Sequence, residues 1–141
     1  MTDLRSTNGE PGNWSWGVMP EQNRHVRGHE FYPSFADLAK IPKLYATEGQ
    51  PFEEKVCHIH YFTGGSDWYV AELDPANGLA FGWARVNYPE GEWGYIHLVE
   101  LEELYLRLVA RPGRLPVRIL VERDLGFAPT RAADIPAIAE Y

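Results

Sequence analysis

Between positions 55 and 98 the chain holds four runs of six to eight residues rich in apolar and aromatic side chains, separated by gaps containing Gly, Pro, Asn or Asp. The runs are 55–62, 68–74, 79–86 and 93–98. The gaps are Gly64-Gly65-Ser66-Asp67, Pro75-Ala76-Asn77-Gly78, and residues 87–92 with Pro89 and Gly91. β-Branched and aromatic residues favour a pleated strand, and Asn-Gly supplies the positive φ values of a tight hairpin. Parallel neighbours would need a crossover of about a dozen residues. Four runs joined this closely are therefore expected to form an antiparallel meander.

The pattern then changes period. Leu98, Leu101, Leu104, Tyr105 and Leu108 form an apolar stripe at three- and four-residue spacing, with Glu100, Glu102, Glu103 and Arg107 facing away. This predicts an amphipathic helix, stopped by Pro112-Gly113. A fifth strand is expected over 115–125, and a short helix within 130–139, interrupted by Pro136. Upstream, Ser34 reads as the N-cap of a helix over 35–40, ended by Pro42. Residues 1–30 show no apolar periodicity and are expected to be a flexible tail without regular structure. Trp14-Ser15-Trp16 is its exception, a pair of aromatics to dock on the domain or on a partner. The expected architecture is a single α+β domain over 31–141. It has a mainly antiparallel four- or five-stranded sheet, with one amphipathic helix packed on one face.

Composition narrows the function. The formal net charge is −7, and the 13 basic residues read as singly scattered. Nucleic-acid binding needs clustered Lys and Arg, so it is not expected, while an acidic surface leaves room for a basic partner. No window approaches the roughly 18–20 apolar residues of a membrane-spanning helix. The N-terminal residues Asp3, Arg5 and Glu10 have no apolar run behind them and do not read as a secretory signal. A single cysteine, Cys57, cannot form an internal disulfide, and a cytoplasmic location is expected.

Phosphate-loop, dinucleotide and nucleophile-elbow patterns are missing. His58 and His60, two apart on a strand, share a face and could reach one metal with Glu72 or His97 as a third ligand. Two histidines are fewer ligands than such sites require, so no metal is expected and both are read as solvated. Cys57 falls on the opposite, apolar side with Ile59 and Tyr61 and reads as a buried hydrophobe, not a nucleophile. On the fifth strand Arg123 interrupts the row Val117, Ile119, Val121 and Leu125, as Glu72 interrupts Trp68 and Val70 on the second. A guanidinium beside the core needs a carboxylate. Glu72 is the expected partner of Arg123, with Glu48 the alternative.

Several separated segments carry a resemblance. Leu44-Tyr45-Ala46-Thr47-Glu48, Trp68-Tyr69-Val70-Ala71-Glu72-Leu73-Asp74, Phe81-Gly82, Gly94-Tyr95, Leu98-Val99-Glu100-Leu101-Glu102 and Glu122-Arg123-Asp124-Leu125, with Phe127 and Pro129, occur in that order. Together they resemble the bacterial domain-of-unknown-function family 2958 over about residues 41–138. The resemblance implies an accessory role, since its members are often carried on plasmids and mobile elements. It implies no activity, cofactor or catalytic residue. The family usually has Ser where this chain has His97, so the capping box with Glu100 is lost and the helix start should be weaker. It also favours a Lys-rich strand where this chain has His58-Ile59-His60, which counts against a metal site there.

The expected function is that of a non-catalytic accessory domain that binds another protein, with no cofactor, nucleic acid or membrane. Glu48, Trp68, Glu72, Tyr95, Glu122, Arg123 and Asp124 are the candidate binding residues. The alternative is a small hydrolase or transferase that uses a carboxylate cluster of Glu72, Glu122 and Asp124.

Overall fold

In a computed structural model, which describes residues 20–87, 89–108, 112–115 and 117–140, the run 55–62 gives two strands, not one. These are β1 (Val56–Cys57) and β2 (Ile59–Thr63), separated at His58. β3 (Ser66–Leu73), β4 (Leu79–Arg85) and β5 (Gly91–His97) follow, each antiparallel to the strand before it from β2 onward. The turn residues act as their chemistry requires. Gly64 and Gly78 take φ values of 51° and 78°, and the side chains of Asp74 and Asn77 accept from the amides of Ala76 and Leu79.

Downstream, α3 (Leu98–Glu103) is only six residues long. Tyr105, Leu108 and the residues between them are strand β6 (Tyr105–Leu108), paired in a hairpin with β7 (Val117–Leu120). The expected long amphipathic helix is therefore corrected, because Leu104, Leu106 and Leu108 fit an alternating strand as well as a helical stripe. Gly113, with φ at 80°, serves a hairpin instead of stopping a helix. His97 gives α3 no side-chain cap, in line with the lost capping box. The expected fifth strand is likewise split. β7 belongs to the separate hairpin, while β8 (Glu122–Arg123) joins the main sheet beside β2. The main sheet has the order β5-β4-β3-β2-β8, and β9 (Thr130–Arg131) pairs with β1. α4 (Pro136–Ala139) ends the described chain, with Pro136 at its first position and not in its middle.

One face of the sheet carries the main core. Ile59, Tyr61, Trp68, Val70, Leu73, Ala80 and Ile96 meet Phe31, Tyr32, Leu38, Ile41, Leu98 and Val121. Leu38 comes from α2 (Phe35–Ala39), where the Ser34 hydroxyl accepts from the amide of Asp37 as expected of an N-cap. Phe31 stacks on Tyr61 at 4.2 Å, and the Tyr61 hydroxyl donates to the Phe31 carbonyl. Trp68 is a core residue here and has no part in a surface site.

A β-bulge between Val70 and Glu72 reverses the alternation of β3. It returns Leu73 to the core and turns Glu72 onto the opposite face. At this point β3 and β4 approach closely, and Gly82 is the residue that permits it. A Cβ on Gly82 would lie 1.8 Å from the Tyr69 carbonyl oxygen, a backbone atom that cannot swing aside. Gly82→Ala is expected to cost about 1–3 kcal/mol through forced separation of the strands. Urea unfolding that differs from wild type by only a few tenths of a kcal/mol would contradict this.

Of the stretch expected to lack structure, residues 20–30 pack onto the domain. α1 (Arg24–Arg27) buries Arg27, whose side chain is 0% exposed. Its Nη1 lies 3.1 Å from Glu102 Oε2, and its Nε donates to the Val121 carbonyl at 2.7 Å. Trp14 and Trp16 lie outside the described residues. Among those described, no helix is long and apolar enough to cross a membrane.

Candidate functional site

The face opposite the main core is aromatic and charged. Register places His60, Asp67, Tyr69, Glu72, Phe81, Trp83, Trp93 and Tyr95 on it together. Cys57, Tyr69, Trp83, Ala132 and Ile135 cover its middle as a second small core. Burial pushes the Cys57 thiol up to about 12, so it behaves as the buried hydrophobe expected of it.

At one end of this face the segment 43–55 folds over Glu72 and leaves a cleft of about 250 Å³. Tyr45, Glu48, Phe52, Lys55, Glu72, Phe81 and Tyr95 line it. Its floor is a buried ion pair. Lys55 Nζ lies 3.7 Å from Glu72 Oε2, with side chains 3% and 4% exposed. Both groups are fully engaged. Glu72 accepts from the amides of Tyr45 at 2.7 Å and Thr47 at 3.1 Å, and from the Thr47 hydroxyl. Lys55 Nζ donates to the carbonyl and the hydroxyl of Thr47. The ammonium also sits near the faces of Phe52 and Phe81, 6.0 and 5.9 Å from their centroids.

The walls are rings. Phe52 stacks on Trp93 at 5.0 Å, and Phe81 meets Trp93 and Tyr95. The Tyr95 hydroxyl donates to that of Tyr45 at 3.2 Å. That bond holds the Tyr95 phenol above its ordinary range, with the Tyr45, Glu48 and Glu72 charges adding to it. Tyr45, Phe52 and Tyr95 are about half exposed. Tyr45 has φ at 73°, a left-handed conformation that costs a bulky residue about 1–3 kcal/mol. The two amide bonds from this turn to Glu72 hold it there.

The candidate acids and Tyr95 separate into three places. Glu48, Glu72 and Tyr95 meet in the cleft. Asp124 lies in a charged cluster, and Glu122 stands near His29 at 3.5 Å. Glu122 pairs with Phe62, which pairs with Asp67, five residues before Glu72 on β3. At about 3.3 Å per residue, Glu122 and Glu72 are roughly 16 Å apart along the sheet and two strands apart across it. They form no joint acid–base site. Arg123 corrects another expectation. Its Nε donates to the Glu30 carbonyl at 3.1 Å, and among the described residues no carboxylate lies within 4 Å of its guanidinium. Glu72 pairs with Lys55 instead, and Val117 and Leu125, supposed to flank Arg123 in a buried row, are exposed.

His60 is held rather than solvated. Its Nδ1 lies 3.0 Å from Asp124 Oδ2 and its Nε2 2.8 Å from Asp67 Oδ1, while Arg85 Nη2 holds the other Asp67 oxygen at 2.8 Å. The ring stacks on Tyr69 at 4.2 Å. His58 is half-buried, and desolvation lowers it below its ordinary 6.5. Among the described residues, no three His, Cys, Asp or Glu side chains are grouped to hold a metal ion.

Sequence reasoning missed Tyr45, Phe52, Lys55 and Phe81. Tyr45 and Phe81 stood inside the family-like segments, and that was the available signal. Phe52 had none, and Lys55 read as the first residue of a strand.

Fold and site define an antiparallel α+β protein that presents a shaped aromatic surface over a buried ion pair. The chain belongs to the family described as Protein of unknown function (DUF2958), which matches residues 38–137. No curated protein and no solved structure matches it. The matched segment holds the whole five-stranded sheet and the cleft, whereas Arg27 and the rest of residues 20–37 lie outside it.

Proposed function

We propose that this chain is a non-catalytic protein-binding domain, and that its cleft receives a cationic side chain of the partner. The observation that carries the reading is the set of half-exposed rings, Tyr45, Phe52 and Tyr95, held rigidly at one place. Large aromatics fixed by the fold supply most binding energy at protein interfaces, because they lose little freedom on contact. Ring faces attract cations, and Glu48 at the edge of the cleft is exposed and outside the ion pairs formed among the described residues. Lys55 and Glu72 satisfy each other and Thr47, which leaves neither as a free base or nucleophile and counts against the hydrolase alternative. The reading needs no cofactor, nucleic acid or membrane, and it places the protein in the cytoplasm as an accessory factor.

The test is affinity capture from native lysate with wild type beside Phe52→Ala and Tyr95→Ala. Both rings are half exposed, so the variants should fold. Each is expected to weaken the specific partner by about 2–4 kcal/mol, the size of an interface hot spot, as read by titration of the captured protein. An unchanged affinity in both variants would remove the cleft from the binding surface.

A further inference from the structure

Arg123 is left over from the ion pairs of the fold. Three described arginines are partly or fully buried, and two of them, Arg27 and Arg85, each hold a carboxylate. Arg123 holds only the Glu30 carbonyl, through Nε, and among the described residues its two Nη atoms have no partner. The Nε bond fixes the fork of the guanidinium at the end of β8. Beside it a cavity of about 260 Å³ opens between the end of α2 and residues 124–129. His58 reaches this cavity from the break between β1 and β2, and Lys40 from the end of α2. The His58 ring is half-buried and has no hydrogen-bond partner among the described residues. Desolvation lowers it below 6.5, so at pH 7 it is neutral and has one N–H to donate. Ile41, Phe127 and Pro129 supply an apolar wall.

The acids at the cavity decide which anion fits. Asp124 is already engaged, with Oδ2 3.0 Å from His60 Nδ1 and Oδ1 accepting from the Gly126 amide at 3.2 Å. Asp37 is exposed and lies 3.8 Å from Lys40 Nζ. Arg123 and Lys40 thus balance Asp37 and Asp124, and no surplus of positive charge remains for a dianion such as phosphate. A planar monoanion needs only the guanidinium fork, which meets a carboxylate with two parallel bonds. Liquid water takes about 30 Å³ per molecule, so the space holds roughly eight or nine non-hydrogen atoms. We propose that this cavity binds a carboxylate on a small apolar body, gripped by the Nη atoms of Arg123, with His58 donating to it and Phe127 covering the body. A free carboxylic acid and the C-terminus of a peptide both offer that chemistry. The site shares no residue with the aromatic cleft and does not depend on it.

Titration of the full chain with benzoate, followed by NMR, tests it. A dissociation constant of about 0.1–1 mM is expected for an acid of this size. The amides of Gly126 and Phe127 should shift, and those of Phe52 and Tyr95 should not. Benzamide, the neutral counterpart, should bind at least about tenfold more weakly, a comparison that needs no variant. Arg123→Gln should weaken benzoate at least about tenfold, and Arg123→Lys by less, because an ammonium keeps the charge without the fork. A tripeptide ending in a free Leu carboxylate, beside its C-terminal amide, separates the two sources. Binding tighter than benzoate and lost in the amide assigns a chain terminus, weaker binding assigns a free acid, and either result upholds the site. Four results overturn it: no acid bound at about 10 mM, benzamide equal to benzoate, inorganic phosphate tighter than benzoate, or an affinity unchanged in Arg123→Gln.

Discussion

Arg27→Ala is expected to cost about 3–5 kcal/mol of folding free energy, the penalty for breaking a buried ion pair from one side. The guanidinium has no contact with solvent and uses its donors in three directions. It bonds Glu102 Oε2 at 3.1 Å, the Glu102 carbonyl at 3.2 Å and the Val121 carbonyl at 2.7 Å, and it covers the Phe31 ring at 4.8 Å. Removing it leaves the Glu102 carboxylate, whose side chain is 2% exposed, with the amides of Gln22 and Asn23 as its close partners among the described residues. Arg27→Lys keeps the charge but cannot span Glu102 and Val121 together, so an intermediate loss is expected. Urea midpoints with unchanged slope give the size of the effect. Amide exchange at Asn23 and Phe31 should rise in the Ala variant, because the segment 20–31 is pinned at the arginine. A loss below about 1 kcal/mol would mean that the pair contributes little beyond its own desolvation.

That segment marks the limit of what local pattern can reveal. The meander was legible because each link lies within a few residues: an alternating run, then a Gly or Asn that can take positive φ. Arg27 was not, since its partners Glu102 and Val121 are 75 and 94 residues away. A polar stretch with no periodicity of its own read as a free tail, although a single long-range charge pair and Phe31 suffice to dock it. The residues 98–108 failed for another reason. Leucine at 98, 101, 104 and 108 makes a helical stripe while leucine at 104, 106 and 108 alternates as in a strand, and Pro-Gly serves as a helix stop or a hairpin turn. The cross-strand pairing with 117–120 decided between them. Arg123 was misplaced because the row from 117 to 125 was read as one strand. The chain leaves one sheet at Leu120 and enters another at Glu122, so the alternation does not carry through. Within the candidate site, Glu48, Glu72 and Tyr95 were legible, but the bulge that aims Glu72 into the cleft was not.

That bulge sets up the second large effect. Glu72→Ala is expected to cost about 3–5 kcal/mol, by stranding the Lys55 ammonium in a site that is 3% exposed. The loss also reaches the cleft. The amides of Tyr45 and Thr47 would lose their acceptor, and an unsatisfied buried amide costs about 1–3 kcal/mol. Replacing Lys55 and Glu72 together by Met and Leu removes the stranded charge but still orphans both amides. Recovery should therefore be partial, in contrast to a pair whose oxygens serve the ion alone. Glu72→Gln keeps an acceptor for one amide and should fall between wild type and Ala. Freed from its anchor, Tyr45 has reason to leave φ 73° for an ordinary conformation, and its hydroxyl then withdraws from Tyr95. The Tyr45 bond is the main cause that raises the Tyr95 phenol, so in Glu72→Ala that phenol should titrate nearer its ordinary 10. NMR titration of the Tyr95 ring measures this separately from stability. A Tyr95 titration identical to wild type, in a variant that has lost the expected stability, would show that Glu72 supports the fold without shaping the cleft.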